Sequence, residues 1–151
     1  MFQINEGTID LPKEWKDESI NVLTASQGSG PGFSFTISRD TLPWGMEFAS
    51  FASKEVDAIA SNLKDYHQIA SEPTEVDGQE AVLSEFRWTS AQGPIHQCMV
   101  ITAKERKALI FTASMPGMIS GEQKRQILSL VATFQFRREE EPAGSGGPES
   151  A

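Results

Sequence analysis

Few residues in this chain have the types and spacing that chemistry needs. There are two histidines and one cysteine. His96 and Cys98 stand two apart, so in a strand they share a face. A thiol beside an imidazole is a possible nucleophile and base. Sequence places no third group to orient the imidazole, so the pair reads as structural, with no catalysis expected from it. His67 follows a long helical apolar pattern and is expected at a helix C-terminus, where a cation is favourable. Two histidines and a lone cysteine make no metal-ligand cluster. Asp10, Asp17, Glu18, Asp40, Glu55, Asp57 and Glu85 are scattered, and two of them would act as acid and base only if the fold converged them. They read as a solvated surface. Asp40 is expected to cap the turn after its strand, and Arg39 to pair with an acid. The glycines at 28, 30 and 32 alternate but open no helix, so they form no phosphate cradle. No catalytic residue, metal or cofactor is expected.

The elements that would position these groups follow from periodicity. The stretch Ser19–Asp40 dominates. Ile20 and Val22 share one strand face, and Phe33, Phe35 and Ile37 share another, with Ser34, Thr36 and Ser38 opposite them. The Gly/Ser/Pro run Ser26–Gly32 joins the two strands as a hairpin loop. Before it, Phe2–Leu11 reads as a short hairpin stopped by Pro12, with Trp15 packing over the sheet edge. From Met46 to Tyr66, Phe48, Phe51, Ala52, Val56, Ile59, Leu63 and Tyr66 recur at three- and four-residue steps, which predicts an amphipathic helix. Gln68–Val76 is extended, Asp77-Gly78 turns, and strands follow at Ala81–Thr89, Ile95–Ala103 and Ala108–Met115. Ser120, with Gln123 three residues on, opens a second helix to Ala132, and Phe134–Phe136 is expected as a short terminal strand. The whole describes an α+β domain over residues 1–136, an antiparallel sheet with two packed helices. Residues 137–151, acidic and then Gly-, Ser- and Pro-rich, are expected to be a disordered tail.

The order Leu11-Pro12, Trp15, Ser19-Ile20-Asn21-Val22, then Phe35-Thr36-Ile37-Ser38-Arg39-Asp40 resembles the DcrB-like domain family. Within it the chain looks like the Eag chaperones of bacterial type VI secretion. The resemblance covers residues 2–136, and Ser-Ile-Asn and Ile-Ser-Arg-Asp are its most specific pieces. It implies a Mog1- and PsbP-like sheet with packed helices, working as a homodimer. It implies a chaperone that shields the N-terminal, membrane-destined helices of a secreted effector in the producing cell. Carried over position by position, it assigns effector binding to Ile20, Val22, Ile59, Leu63 and Gln97. Ile59 is bulky where relatives can have a smaller residue, which changes the groove. From residue pattern alone, Ile20 and Val22 would be ordinary sheet core, and Ile59 and Leu63 fit the helix's core stripe equally well. A small-molecule binder or enzyme on the same fold, and a DcrB-type envelope protein, are the alternative readings.

Composition narrows the partners. The chain has 151 residues and a formal net charge of −8. An acidic chain without clustered Lys and Arg is poorly suited to nucleic-acid backbones or anionic membranes. A single cysteine rules out an internal disulfide and fits a reducing compartment. The N-terminal residues show no basic segment leading into an apolar run, and no stretch approaches the ~20 apolar residues of a membrane span. A cytoplasmic location is expected.

Overall fold

A computed structural model describes residues 2–4, 6–14, 19–25 and 33–137. Trp15, the loop 26–32 and residues 138–151 lie outside these, and with them the readings of Trp15 and most of the tail. Ten elements follow one another: β1 (Phe2–Ile4), β2 (Gly7–Ile9), β3 (Asn21–Ala25), β4 (Phe33–Thr41), α1 (Phe48–Asn62), β5 (His67–Val76), β6 (Gln79–Ser90), β7 (Gly93–Lys104), β8 (Lys107–Pro116) and α2 (Gly121–Ala132). β1 and β2 form a separate hairpin. The other six strands make one antiparallel sheet in the order β3-β4-β8-β7-β6-β5. β5 to β8 are a meander joined by short turns. At the first of these turns Asp77 and Gly78 both have positive φ, 49° and 80°. That is the geometry for which Asp-Gly is favoured in a two-residue hairpin.

The chain leaves β4, next to the edge strand β3, and must reach the opposite edge at β5. α1 makes that crossing and lies over β6 and β7. Phe51 and Ala52 meet Phe86, Met99, Ile101 and Ala108, all buried. Ile59, Leu63, Val56 and Tyr66 pack against the same cluster, with Tyr66 stacked on Phe86 at 5.3 Å. α2 takes the opposite face. Val131 and Ile127 reach Leu83, Val100, Phe111, Ala113 and Cys98, with Phe35 and Ile37 of β4 beside them. Burial of apolar side chains on both faces drives this three-layer arrangement.

α2 begins as its sequence signals. Gln123 N–H donates to Ser120 Oγ at 3.1 Å, and Gln123 Oε1 accepts from Ser120 N–H at 2.8 Å, closing a capping box. Three local expectations are corrected. α1 ends at Asn62, four residues short of Tyr66. Ser61 and Asn62 turn their side chains back onto the carbonyls of Asp57 and Ala58, and Asp65 adopts φ 56° in the turn that follows. Such back-bonding competes with helix continuation. His67 therefore opens β5 and does not sit on a helix end. Residues 134–136 form no strand. Instead Phe134 packs edge-on against Phe111 and Phe136, and Phe136 N–H donates to Asp77 Oδ2 at 2.9 Å.

Candidate functional site

Among the described residues, the helix on the α1 face covers one side of it only. α1 lies over β6 and β7, while β3 and β4 pack chiefly against each other and β8. Register places Val22 opposite Thr36, and Thr36 opposite Thr112. Val22, Thr36, Thr112 and Met99 therefore form one row, with Ser34, Ser114 and Gln97 in the next. Ser34, Thr36, Ser38, Thr112 and Ser114 are half-buried, and they make a hydroxyl-lined floor. At its rim Val22 is 61% exposed, and Ile20, two residues earlier, is 58% exposed. Burying such side chains is worth about 1.5–3 kcal/mol each, so leaving two side by side in water is an unused apolar surface. Three strand spacings set β3 about 14 Å from β7. A helix with its side chains is about 10–12 Å across, so the uncovered strip has the width of one helix.

The five residues assigned by resemblance fall on this side of the sheet in three different roles. Ile20 and Val22 are open to solvent, which corrects their reading as ordinary core. Ile59 and Leu63 are half-buried and packed against the core cluster under α1. Their packing is that of core residues beneath α1. Gln97 is fixed at the inner margin. Its Oε1 accepts from Trp88 Nε1 at 2.7 Å, and its Nε2 donates to Ser114 Oγ at 2.6 Å. The amide thus links β6, β7 and β8 as part of the polar floor.

The other face holds a buried polar cluster that sequence reading did not assemble. Glu85 Oε2 lies 2.7 Å from His96 Nε2, and Glu85 Oε1 accepts from Lys124 Nζ at 2.7 Å. His96 Nδ1 accepts the backbone N–H of Ile119 at 2.8 Å. Burial pushes the Glu85 carboxyl up, but the hydrogen bonds from Lys124 and His96 outweigh it and the net shift is downward. Glu85 shares strand parity with Ala81 and Leu83, both buried. A carboxylate on an apolar strand face needs a partner, and that was the available signal. The partners themselves, 11 and 39 residues away, emerge only from the folded register.

Cys98 lies beside this cluster with its thiol pushed up to about 11, by burial and then by the charge of Glu85. Both His96 nitrogens are committed, so the thiol has no base there. Native Cys98 should accordingly react with a disulfide reagent at least ~100-fold more slowly than in the denatured chain, because reaction needs the thiolate and local opening. Prompt labelling of the folded protein would contradict this burial. Arg39 and Asp40 act locally. Arg39 Nη1 donates to the carbonyls of Ser19 at 3.4 Å and Ile37 at 3.5 Å and meets no acid among the described residues, and Asp40 Oδ1 accepts Thr41 N–H at 2.8 Å. Among the described residues no group of His, Cys, Asp and Glu is placed to hold a metal, and no helix is long and apolar enough to cross a membrane.

Comparison with known proteins extends this geometry. Among solved structures, a protein of unknown function from Pseudomonas aeruginosa, PA94, described as a putative regulator, is similar with a TM-score of 0.76. It is 20% identical and covers 91% of this chain and 96% of its own, so the two share a fold. PsbP from the cyanobacterium Synechocystis is similar at a TM-score of 0.45, with 15% identity over 76% of this chain and 77% of its own. No curated protein matches significantly. The DcrB family profile matches residues 6–133. That span runs from the β1–β2 hairpin through α2 and includes the strip and the buried cluster. The chain belongs to the DcrB family.

Proposed function

We propose that this chain is a non-catalytic binding protein, a chaperone that receives apolar helices on the uncovered strip of its sheet. One observation carries the reading: Ile20 and Val22 stand exposed at the rim of a helix-wide, hydroxyl-lined sheet face that no described helix packs across broadly. A membrane-destined helix in water exposes a large apolar surface and aggregates. An apolar rim would take its hydrophobic face, and the Ser, Thr and Gln floor would satisfy its polar side chains. The resemblance of Ser19-Ile20-Asn21 and Ile37-Ser38-Arg39-Asp40 to the Eag chaperones supplies the client class, the N-terminal helices of a type VI secretion effector bound before loading and export. Homodimerisation and a cytoplasmic setting belong to the same reading.

The test is co-purification with the N-terminal apolar-helix fragment of an effector encoded beside this gene, using Ile20→Asp and Val22→Asp. Each variant should stay folded by circular dichroism, because the new charge remains in water. Each should lose most of the client, because binding would desolvate an unpaired carboxylate. Folded variants that retain the client at wild-type yield would overturn the assignment. Light scattering at micromolar concentration should give twice the chain mass, and a monomer would remove the dimer from the reading.

A further inference from the structure

We propose that His96 is an acid-sensitive latch on the turn that leads from β8 into α2. The tautomer follows from its two partners. The backbone N–H of Ile119 can only donate, so Nδ1, 2.8 Å away, carries the lone pair. Glu85 Oε2, 2.7 Å from Nε2, belongs to a carboxylate held ionised, so Nε2 carries the hydrogen. The imidazole is therefore neutral and fully used, and it is 3% exposed. Taking up a proton adds a hydrogen at Nδ1. Two N–H groups then face each other where one hydrogen bond stood, and no other described group accepts from Nδ1.

What yields is the turn. Gly117 N–H is tied to the Pro94 carbonyl at 2.9 Å, and α2 is capped at Ser120. Between these two points the Ile119–His96 bond is the one hydrogen bond that the turn makes to the sheet among the described residues. The Ile119 side chain is buried against Cys98, Ala113, Met115 and Ile127, while its neighbour Met118 is 63% exposed. Freeing Ile119 joins the two into an apolar patch at the start of α2. The sheet itself keeps its tie, because the protonated ring still donates Nε2–H to Glu85, now as an ion pair.

Several charged groups surround the latch. Glu85 of β6 bonds the ring directly. Arg87 stands directly opposite His96 on β6. Lys124 of α2 is bonded to Glu85, and Glu72 of β5 acts on Lys124. Cys98 on the same strand face stays protonated and neutral. Met115, opposite on β8, carries no charge.

The experiment is a pH titration of the full chain by NMR, following the His96 ring nitrogens and the Ile119 amide, with the Ile101 amide of β7 as reference. The ring should show the Nε2–H tautomer when neutral. Ile119 exchange, corrected for its intrinsic pH dependence, should rise at least ~tenfold as His96 charges, with the same midpoint, while Ile101 stays protected. In His96→Gln the side chain has a carbonyl for Ile119 and an amide for Glu85 but cannot titrate, so the step should vanish. An Nδ1–H tautomer in the neutral protein, or a titrating ring with an unresponsive Ile119 amide, would overturn the latch. So would an equal step in folded His96→Gln. If that variant fails to fold, the shared midpoint in the wild type decides.

Discussion

Phe86→Ala is expected to lower stability by about 3–5 kcal/mol, as large-to-small changes of buried aromatics do. Phe86 is 2% exposed and sits where α1 meets the sheet, touching the cluster of Phe51, Ala52, Met99 and Ile101. Tyr66 stacks on its ring at 5.3 Å and tilts 32° from it, so the truncation also removes a ring pair. The backbone on either side is locked into β5 and β7, and the site cannot collapse to refill the space. A domain of this size has about 5–15 kcal/mol in total, so the variant should unfold at much lower urea concentration with a similar slope. Val22→Ala is the matched control. Its side chain is already 61% exposed, and the change should stay within about 0.5 kcal/mol. A Phe86→Ala loss below ~1 kcal/mol would mean that α1 is not held to the sheet through this contact.

The contrast between Phe86 and Val22 marks what could be read from sequence. Both stand in alternating strands, and parity placed each on its correct face. Phe35 and Ile37 oppose Ile20 and Val22 in the reading, and Phe35 and Ile37 do lie under α2 while Val22 lies on the α1 side. The helical period of α1 and the capping signal at Ser120 were equally legible, because each rests on neighbours in the chain. Whether a face is covered is a different kind of fact. It depends on α1 crossing from β4 to β5 over β6 and β7, a path fixed by strand order. Local pattern alone put Ile20 and Val22 in the core, and only the resemblance put them in a groove. The end of α1 shows a subtler limit. Leu63 and Tyr66 keep the helical spacing because both still face the core, yet the backbone between them has left the helix. Periodicity reports which side chains are buried, and a turn can deliver the same burial. The Glu85 cluster was hidden for the third reason, sequence separation.

That cluster gives the other large effect. Glu85→Ala should cost about 3 kcal/mol near neutral pH, since it strips a buried acceptor from two donors. Lys124 is partly exposed and can turn to water, but the His96 ring is 3% exposed and keeps an N–H with no partner. The pH dependence identifies the cause. The Glu85 carboxyl is lowered in the fold from its ordinary 4.5, burial being outweighed by the bonds from Lys124 and His96. A lowered acid contributes stability that is full above its unfolded value and is lost as pH falls through the folded one. Lys124 is raised from 10.5 by its bond to Glu85, so its share is present below that value and is lost as pH rises through the folded one. These two groups therefore contribute a plateau of stability between the two values that is lost on both sides. Glu85→Ala should start lower and fall less steeply at each end, because both linked shifts vanish with the carboxylate. Urea midpoints across the acid limb would show the wild-type and variant curves converging as pH falls below 4.5. Parallel curves would mean that the cost is a cavity alone. A variant as stable as wild type would mean that desolvating Glu85 and Lys124 cancels what their pairing contributes, as happens in some buried ion pairs.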